Sequence, residues 1–136
     1  MGRKPWLLPL IVVLAGAAGL AGCQQEQKKA VVTVRAFYPL NQGHKFIADY
    51  LKEFAKAHPG EVHLEIYDTQ TPEGRDEWMK TGLDCSGVFI NGKTKWEVKK
   101  GGKTETVDFI KRMDVFWTRQ DFETVVNDLI AKAKKK

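Results

Sequence analysis

The sequence predicts an α/β domain, because extended apolar segments alternate with amphipathic helical ones. Residues 31–38 form an extended apolar run that stops at Pro39. Residues 62–67 alternate strictly between apolar and polar side chains, which is typical of a half-buried strand. Between these two segments, residues 45–57 carry apolar side chains at helical spacing. This strand–helix–strand order indicates a sheet with helices packed against it.

The next segments continue the alternation as far as a hairpin. His58-Pro59-Gly60 ends the first helix, and Thr71 followed by Pro72 is a typical start for a second, short helix. We expect Gly82 to close that helix, with Trp78 and Met79 as its packing residues. Residues 86–90 predict a third strand that ends at the Asn91-Gly92 turn. Residues 96–100 and 103–110 flank Gly101-Gly102 and predict a hairpin.

The last helix has the best-defined start. Thr118 is the predicted N-cap, Asp121 occupies the third helical position, and Trp117 and Phe122 are placed for a hydrophobic contact across the cap. The apolar side chains that follow lie on one helical stripe: Phe122, Val125, Val126, Leu129 and Ile130. The predicted order is therefore β-α-β-α-β-β(β)-α.

The first 22 residues predict a bacterial lipoprotein signal peptide. A basic start is followed by an apolar run over residues 7–20, and Leu20-Ala21-Gly22-Cys23 places small residues directly before a cysteine. We expect cleavage before Cys23, an acyl chain such as palmitate on that thiol, a tether over residues 23–30 and a domain over residues 31–136. An ordinary secretory signal and a membrane-spanning helix are the alternatives, although the run is shorter than the roughly 20 residues of a span.

Lipidation at Cys23 predicts an extracytoplasmic protein held on a membrane of the cell envelope. Gln24 rather than aspartate follows the cysteine, which in lipoproteins of two-membrane bacteria favours the outer membrane and otherwise leaves a periplasmic membrane face. The formal net charge is +5, and much of the basic excess lies in lysines near the two ends of the domain. We expect those lysines to lie near anionic lipid headgroups.

Nucleic acid and nucleotides are not predicted as partners. No basic face with interleaved aromatic residues is visible in the sequence. Residues 87–94 match the phosphate-loop pattern G-x-x-x-x-G-K-[ST], but their centre is Val88-Phe89-Ile90, which is typical of a strand interior. Residues 95–98 continue as strand rather than helix, so this match is interpreted as chance.

The segment after the first strand resembles thioredoxin. Phe37-Tyr38 correspond to the family's aromatic positions, Asn41-Gln42-Gly43-His44 stand where the family has Cys-x-x-Cys, and Lys45 and an apolar helix follow in step. The resemblance covers about residues 31–133 and implies a central mixed sheet of four to five strands with helices on both faces. Both redox cysteines are absent, so dithiol oxidoreductase activity is not predicted.

A second matching segment carries the only cysteine of the predicted domain. Counted back from Asn91-Gly92, Asp84 falls on the family's cis-proline and Cys85 on the residue after it. The resemblance therefore implies that Asp84 and Cys85 approach Asn41 and His44. These four residues are the candidate ligand-binding site.

Three interpretations of Cys85 and His44 remain open. Cys85 is a partly buried core residue in the first. In the second, His44 and Cys85 bind a metal such as Zn or Cu, although two ligands are too few for a closed site. In the third, Cys85 is a reactive thiol whose pKa is lowered by His44 or by a helix N-terminus. No cofactor and no catalytic residue is therefore predicted firmly.

The leading functional prediction is a binding or accessory module at the envelope, with a protein partner there and no enzymatic activity of its own. A single-thiol redox or thiol-transfer protein that uses Cys85 is the first alternative. The second is a structural envelope lipoprotein that docks through aromatic residues of the hairpin and the segment after it. Four aromatic residues bear on this alternative: Trp96, Phe109, Phe116 and Trp117. They are interpreted mostly as core or as cover for the hairpin, and an exposed aromatic patch for a partner is the alternative.

Overall fold

A computed structural model describes residues 29–136. The predicted signal peptide, Cys23 and most of the predicted tether lie outside the described residues. The described elements, in chain order, are β1 (Val32–Tyr38), a π-helical turn (Leu40–His44), α1 (Lys45–Ala57), β2 (Val62–Asp68), α2 (Pro72–Lys80), β3 (Gly87–Ile90), β4 (Lys95–Lys100), β5 (Lys103–Asp108) and α3 (Arg119–Lys134). None of the helices within this range has both the length and the apolar character that crossing a bilayer requires.

The main sheet has three strands in the order β2-β1-β3. β2 runs parallel to β1, with Val62 opposite Val32, and α1 makes the crossover between them. β3 is antiparallel to β1, with Ile90 opposite Val34. The sheet is therefore mixed, as predicted, and β1 is its central strand.

The prediction of a central sheet with four to five strands was wrong. β4 and β5 pair with each other in a separate two-stranded sheet. Each of them buries one central valine, Val98 or Val107, and otherwise carries mostly exposed polar or charged side chains. Strands of this composition cannot be enclosed between two helical layers, and β4 packs against α3 instead. Beyond β3, the described chain continues the main sheet through an isolated antiparallel bridge at Gly87–Ile110 and the backbone hydrogen bonds on either side of it.

The two faces of β1 have different environments. Its buried face contributes Val32, Val34, Ala36 and Tyr38 to a core shared with residues of α1 and α3. On the opposite face, the Arg35 guanidinium forms ion pairs with Glu65 of β2 at 3.0 Å and Glu77 of α2 at 3.1 Å. Helices therefore lie on both faces of β1.

The start of α2 follows the prediction, but its packing does not. The Thr71 side chain accepts a hydrogen bond from the Gly74 amide at 3.1 Å, and Pro72 is the first helical residue. Gly74 is the buried residue of the helix, since a Cβ there would lie 1.9 Å from the Asp68 carbonyl oxygen. Met79 was predicted to pack, but 66% of it is exposed. α2 therefore packs on β2 through the close backbone approach at Gly74 and not through the Met79 side chain.

Candidate functional site

Tyr38 ends the central strand and is the buried centre of the candidate site. It is 1% exposed, and its hydroxyl donates a hydrogen bond to the Lys111 carbonyl at 2.7 Å. In the sequence, Tyr38 stands out only as part of the aromatic pair Phe37-Tyr38. Its position as the last residue on the buried side of an alternating strand is the signal that could have identified it.

The predicted polar turn after Pro39 is a single π-helical turn that runs directly into α1. The Leu40 amide, at its start, donates to the Asp68 carboxylate of β2 at 3.3 Å, and the same oxygen accepts from the Gln70 amide at 3.0 Å. Gly43 has a φ of +75°, which a side chain would disfavour. Such turns are frequent at functional sites, because they displace side chains from the regular helical positions.

His44 is the residue that this turn displaces towards Tyr38. The two rings stack with their centroids 5.6 Å apart and their planes 29° apart. The Nδ1 atom of His44 is buried and has no hydrogen-bond partner among the described residues. An unsatisfied buried nitrogen costs about 1–3 kcal/mol, so it requires a compensating partner such as a ligand or water.

Cys85 lies at the same end of β1. Phe37 is opposite Gly87, so the antiparallel register carried two residues further brings Cys85 to the level of Pro39. The thiol residue is half-buried, and its carbonyl accepts a hydrogen bond from the Trp78 indole nitrogen at 3.2 Å. Every peptide bond of residues 29–136 is trans, so this loop departs from the family's cis-proline geometry.

Electrostatics couple Cys85 to Tyr38. Burial is the main cause that raises the pKa of Tyr38, a hydrogen bond with Trp117 lowers it, and the charge of Cys85 raises it further. Tyr38 therefore stacks on His44 and also lies within electrostatic reach of Cys85. The other two candidates are both exposed, with Asn41 three residues before His44 and Asp84 directly before Cys85.

The metal interpretation has little direct support from the geometry. Between residues 29 and 136, no three His, Cys, Asp or Glu side chains lie close enough together to hold a metal ion. His44 and Cys85 could supply two of the four ligands that a tetrahedral zinc site needs. Zn or Cu binding therefore requires ligands from outside this group.

Residues 111–117 add an exposed apolar surface beside Tyr38. Val115 is 66% exposed and Phe116 is 57% exposed, and the Lys111 ammonium lies 4.8 Å from the centroid of the Phe116 ring. Lys111 and Asp114 both have positive φ, at 64° and 65°, so the segment is held in an unusual backbone conformation. The Tyr38 hydroxyl fixes one end of it through the Lys111 carbonyl.

A cavity of about 380 Å³ lies between this segment and the β4–β5 hairpin. Lys111 and Phe116 form one side of it, and the ion pair between Lys100 and Asp121, at 2.7 Å, forms another. Asp108 also lines it, and the Oδ1 atom of Asp108 is buried without a partner among the described residues. The polar walls fit a charged or hydrogen-bonding group better than an apolar one.

The predicted aromatic docking group is divided by the structure. Phe109 and Trp117 are buried, at 0% and 1% exposure, and Trp96 is partly buried. Phe116 is the member of the four that is mostly exposed. Its exposed neighbour Val115 was missed, because no periodic pattern marks residues 111–117.

We call the surface formed by Asn41, His44, Asp84, Cys85, Val115 and Phe116 the Tyr38 face. Its members come from three separate segments: the turn before α1 and the loop before β3 flank the end of β1, and residues 111–117 are tied to Tyr38 through the Lys111 carbonyl. No protein-family model, curated protein or solved structure matches the chain.

Proposed function

We propose that this chain is a lipid-anchored extracytoplasmic accessory protein that binds a partner through the Tyr38 face. The observation that carries the proposal is the buried Nδ1 atom of His44, which has no partner among the described residues. A partner's hydrogen-bonding group that displaces the side chains covering this nitrogen would satisfy it, and the exposed Val115 and Phe116 would supply apolar contact. A partner protein of the cell envelope offers both kinds of group.

A thioredoxin-like scaffold is part of the proposal. Its support is the strand order β2-β1-β3, with β2 parallel and β3 antiparallel to the central strand. The Val88 amide also donates to the Phe109 carbonyl at 2.8 Å, so the chain after the hairpin returns beside β3. In this scaffold the Tyr38 face occupies the end of the sheet where the family has its redox site.

Membrane attachment rests on the sequence around Cys23. The apolar run followed by Leu20-Ala21-Gly22-Cys23 supports cleavage and acylation at this thiol. We expect labelled palmitate to be incorporated into the wild-type chain and lost in Cys23→Ser. Retention of the label in Cys23→Ser would contradict the anchor.

Site-specific photo-crosslinking tests the partner. Phe116 is replaced by p-benzoylphenylalanine in the full chain, and Met79 is replaced in the same way as a control of similar exposure on α2. We expect a discrete protein adduct from position 116, none from position 79, and loss of the adduct when His44→Ala is added. Equal adducts from both positions, or none from position 116, would refute a binding role of this face.

Thiol transfer at Cys85 is the second candidate, favoured by the half-buried free thiol at the end of β1. The Cys85 thiolate would attack one sulfur of glutathione disulfide, forming a mixed disulfide and releasing glutathione thiolate. We expect such a protein to gain the mass of one glutathione and to catalyse exchange, and Cys85→Ser to do neither. An alkylation midpoint near the free thiol value of about 8.5 would argue against activation.

A further inference from the structure

At one end of the domain, the start of β1 lies next to the last turn of α3. β1 and β2 are parallel and begin there, with Val32 opposite Val62, and the antiparallel β3 ends there. The Val32 amide donates to the Glu61 carbonyl at 3.0 Å, and the Lys134 ammonium contacts the Glu61 carboxylate at 2.7 Å. The last turn of α3 therefore lies beside the point at which the chain enters the sheet.

Exposed lysines from four segments meet at this end, which we call the basic end. They come from the entry to β1, the last turn of α1, the turn after β3 and the end of α3. The seven are Lys29, Lys56, Lys93, Lys132, Lys134, Lys135 and Lys136.

Fewer acidic groups face the same end. Glu61 forms the ion pair with Lys134, and Glu53 lies one turn before Lys56 on α1. Glu97 and Asp128 line a cavity together with Lys132. Seven lysines against these four carboxylates leave the basic end with an excess of three positive charges, and the fold places the lysines at the end of α3 beside those of the other three segments.

We infer that the basic end rests on an anionic phospholipid surface and thereby orients the whole domain on the membrane. The inference depends on the proposed acylation of Cys23. Lys29 lies six residues after Cys23, so the extended chain spans at most about 22 Å between them. The anchor thus keeps the basic end close to the headgroups, where its lysines are attracted to anionic lipid and hold this end on the surface.

This orientation directs the Tyr38 face away from the membrane. β1 runs from the basic end to Tyr38, and its seven residues extend about 20 Å. That distance exceeds the Debye length of about 8 Å at physiological salt, so the lipid charge is screened at the Tyr38 face. The face is then presented to proteins beyond the membrane surface.

Lysine acetylation mapped by mass spectrometry tests the orientation. The acylated full-length protein is reconstituted into phosphatidylglycerol-containing vesicles and, separately, into phosphatidylcholine vesicles. On the anionic vesicles we expect acetylation about fivefold slower at each lysine of the basic end that contacts the surface. Lys45 and Lys111, near the Tyr38 face, serve as internal controls with unchanged rates. High salt should abolish the protection.

A matched pair of double variants separates the effect of charge at the basic end from the effect of the net charge of the protein. Lys135→Glu with Lys136→Glu should remove most of the protection at the remaining lysines. Lys45→Glu with Lys111→Glu changes the net charge equally and should leave the protection intact. Equal acetylation at both ends on anionic vesicles, or equal protection on neutral ones, would overturn the inference while leaving the anchor in place. An unacylated Cys23 in the mass spectrum would instead remove the anchor, and the orientation with it.

Discussion

The backbone amides at the starts of α1 and α3 find their hydrogen-bond acceptors in different ways. At α3, the Thr118 hydroxyl accepts from the Asp121 amide at 3.1 Å and the Asp121 carboxylate accepts from the Thr118 amide at 2.9 Å. At the turn before α1, neither Pro39 nor His44 supplies a side-chain cap. The Leu40 amide relies instead on Asp68, which lies 28 residues further along the chain.

The difference separates a structural helix start from a candidate functional one. The start of α3 is closed, because its cap is reciprocal and Trp117 and Phe122 pack across it with centroids 6.3 Å apart. The turn before α1 is held from a distance and leaves Nδ1 of His44 without a partner among the described residues. We therefore expect substitutions at α3 to change stability and substitutions at His44 to change binding.

The largest expected effect is at Trp117. Trp117→Ala should lower the free energy of unfolding by about 3–5 kcal/mol, because it empties a buried site beside Phe109 and Phe122. The neighbouring Phe116→Ala is the matched control and should change it by less than about 0.5 kcal/mol, since the ring is mostly exposed. Urea unfolding of both variants measures the difference. Similar losses would mean that the two aromatic residues share one environment.

Asp68→Ala tests the cap supplied from a distance. It removes the acceptor of both the Leu40 and Gln70 amides, so we expect a loss of about 1.5–3 kcal/mol in the free energy of unfolding. Faster amide hydrogen exchange at Leu40 should accompany the loss. Asp84→Ala removes an exposed carboxylate near the same end and should cost less than about 0.5 kcal/mol. A stable Asp68→Ala variant with unchanged hydrogen exchange at Leu40 would show that the turn does not depend on Asp68.

The ionised Asp121 carboxylate at the start of α3 makes the free energy of unfolding depend on pH. Burial acts to raise the pKa of this carboxyl, but hydrogen bonds from Lys100 and Thr118 outweigh burial and hold the pKa below its ordinary value of 3.8. A folded pKa below the unfolded one gives stability that is present above the unfolded value and lost as pH falls through the folded value.

We therefore expect Asp121→Asn to cost about 1 kcal/mol at pH 7, since Lys100 is partly exposed and its ion pair is screened by solvent. The difference from the wild type should shrink as pH falls below about 4 and should be lost once pH lies below the folded pKa. Unfolding curves across this range measure it. A difference that stays constant with pH would contradict an ionised Asp121 as the cause.

Local signals made the elements predictable. α1 occupies residues 45–57 as expected, and the Asn91-Gly92 and Gly101-Gly102 turns have the positive φ angles that their sequences favour. The predicted N-cap at Thr118, with Asp121 at the third helical position, is also confirmed, because the two residues lie only three positions apart in the sequence. These features depend on neighbours in the sequence, where spacing alone specifies the contact.

Non-local contacts account for what was missed. The polar turn after Pro39 is π-helical and depends on Asp68 from another strand. The hairpin leaves the main sheet because β4 packs on α3, which no local pattern indicates. Tyr38 was not recognised as the centre of the candidate site, since its partners Lys111 and Cys85 are distant in the sequence. The four predicted site residues stay a prediction until binding is measured.

The smallest expected change in stability is at His44, and it is the most informative. His44→Phe keeps an aromatic ring beside Tyr38 and removes a buried nitrogen that has no partner among the described residues. We expect the free energy of unfolding to stay within about 0.5 kcal/mol of the wild type or to rise, because no hydrogen bond of the described structure is lost. Crosslinking from position 116 should nevertheless be lost, since the partner can no longer bond to Nδ1. A variant that is destabilised by more than about 1 kcal/mol would show that this nitrogen is satisfied within the folded chain, for example by a buried water. In that case Nδ1 of His44 would have a partner within the folded chain, and the start of α1 would be a structural helix start like that of α3.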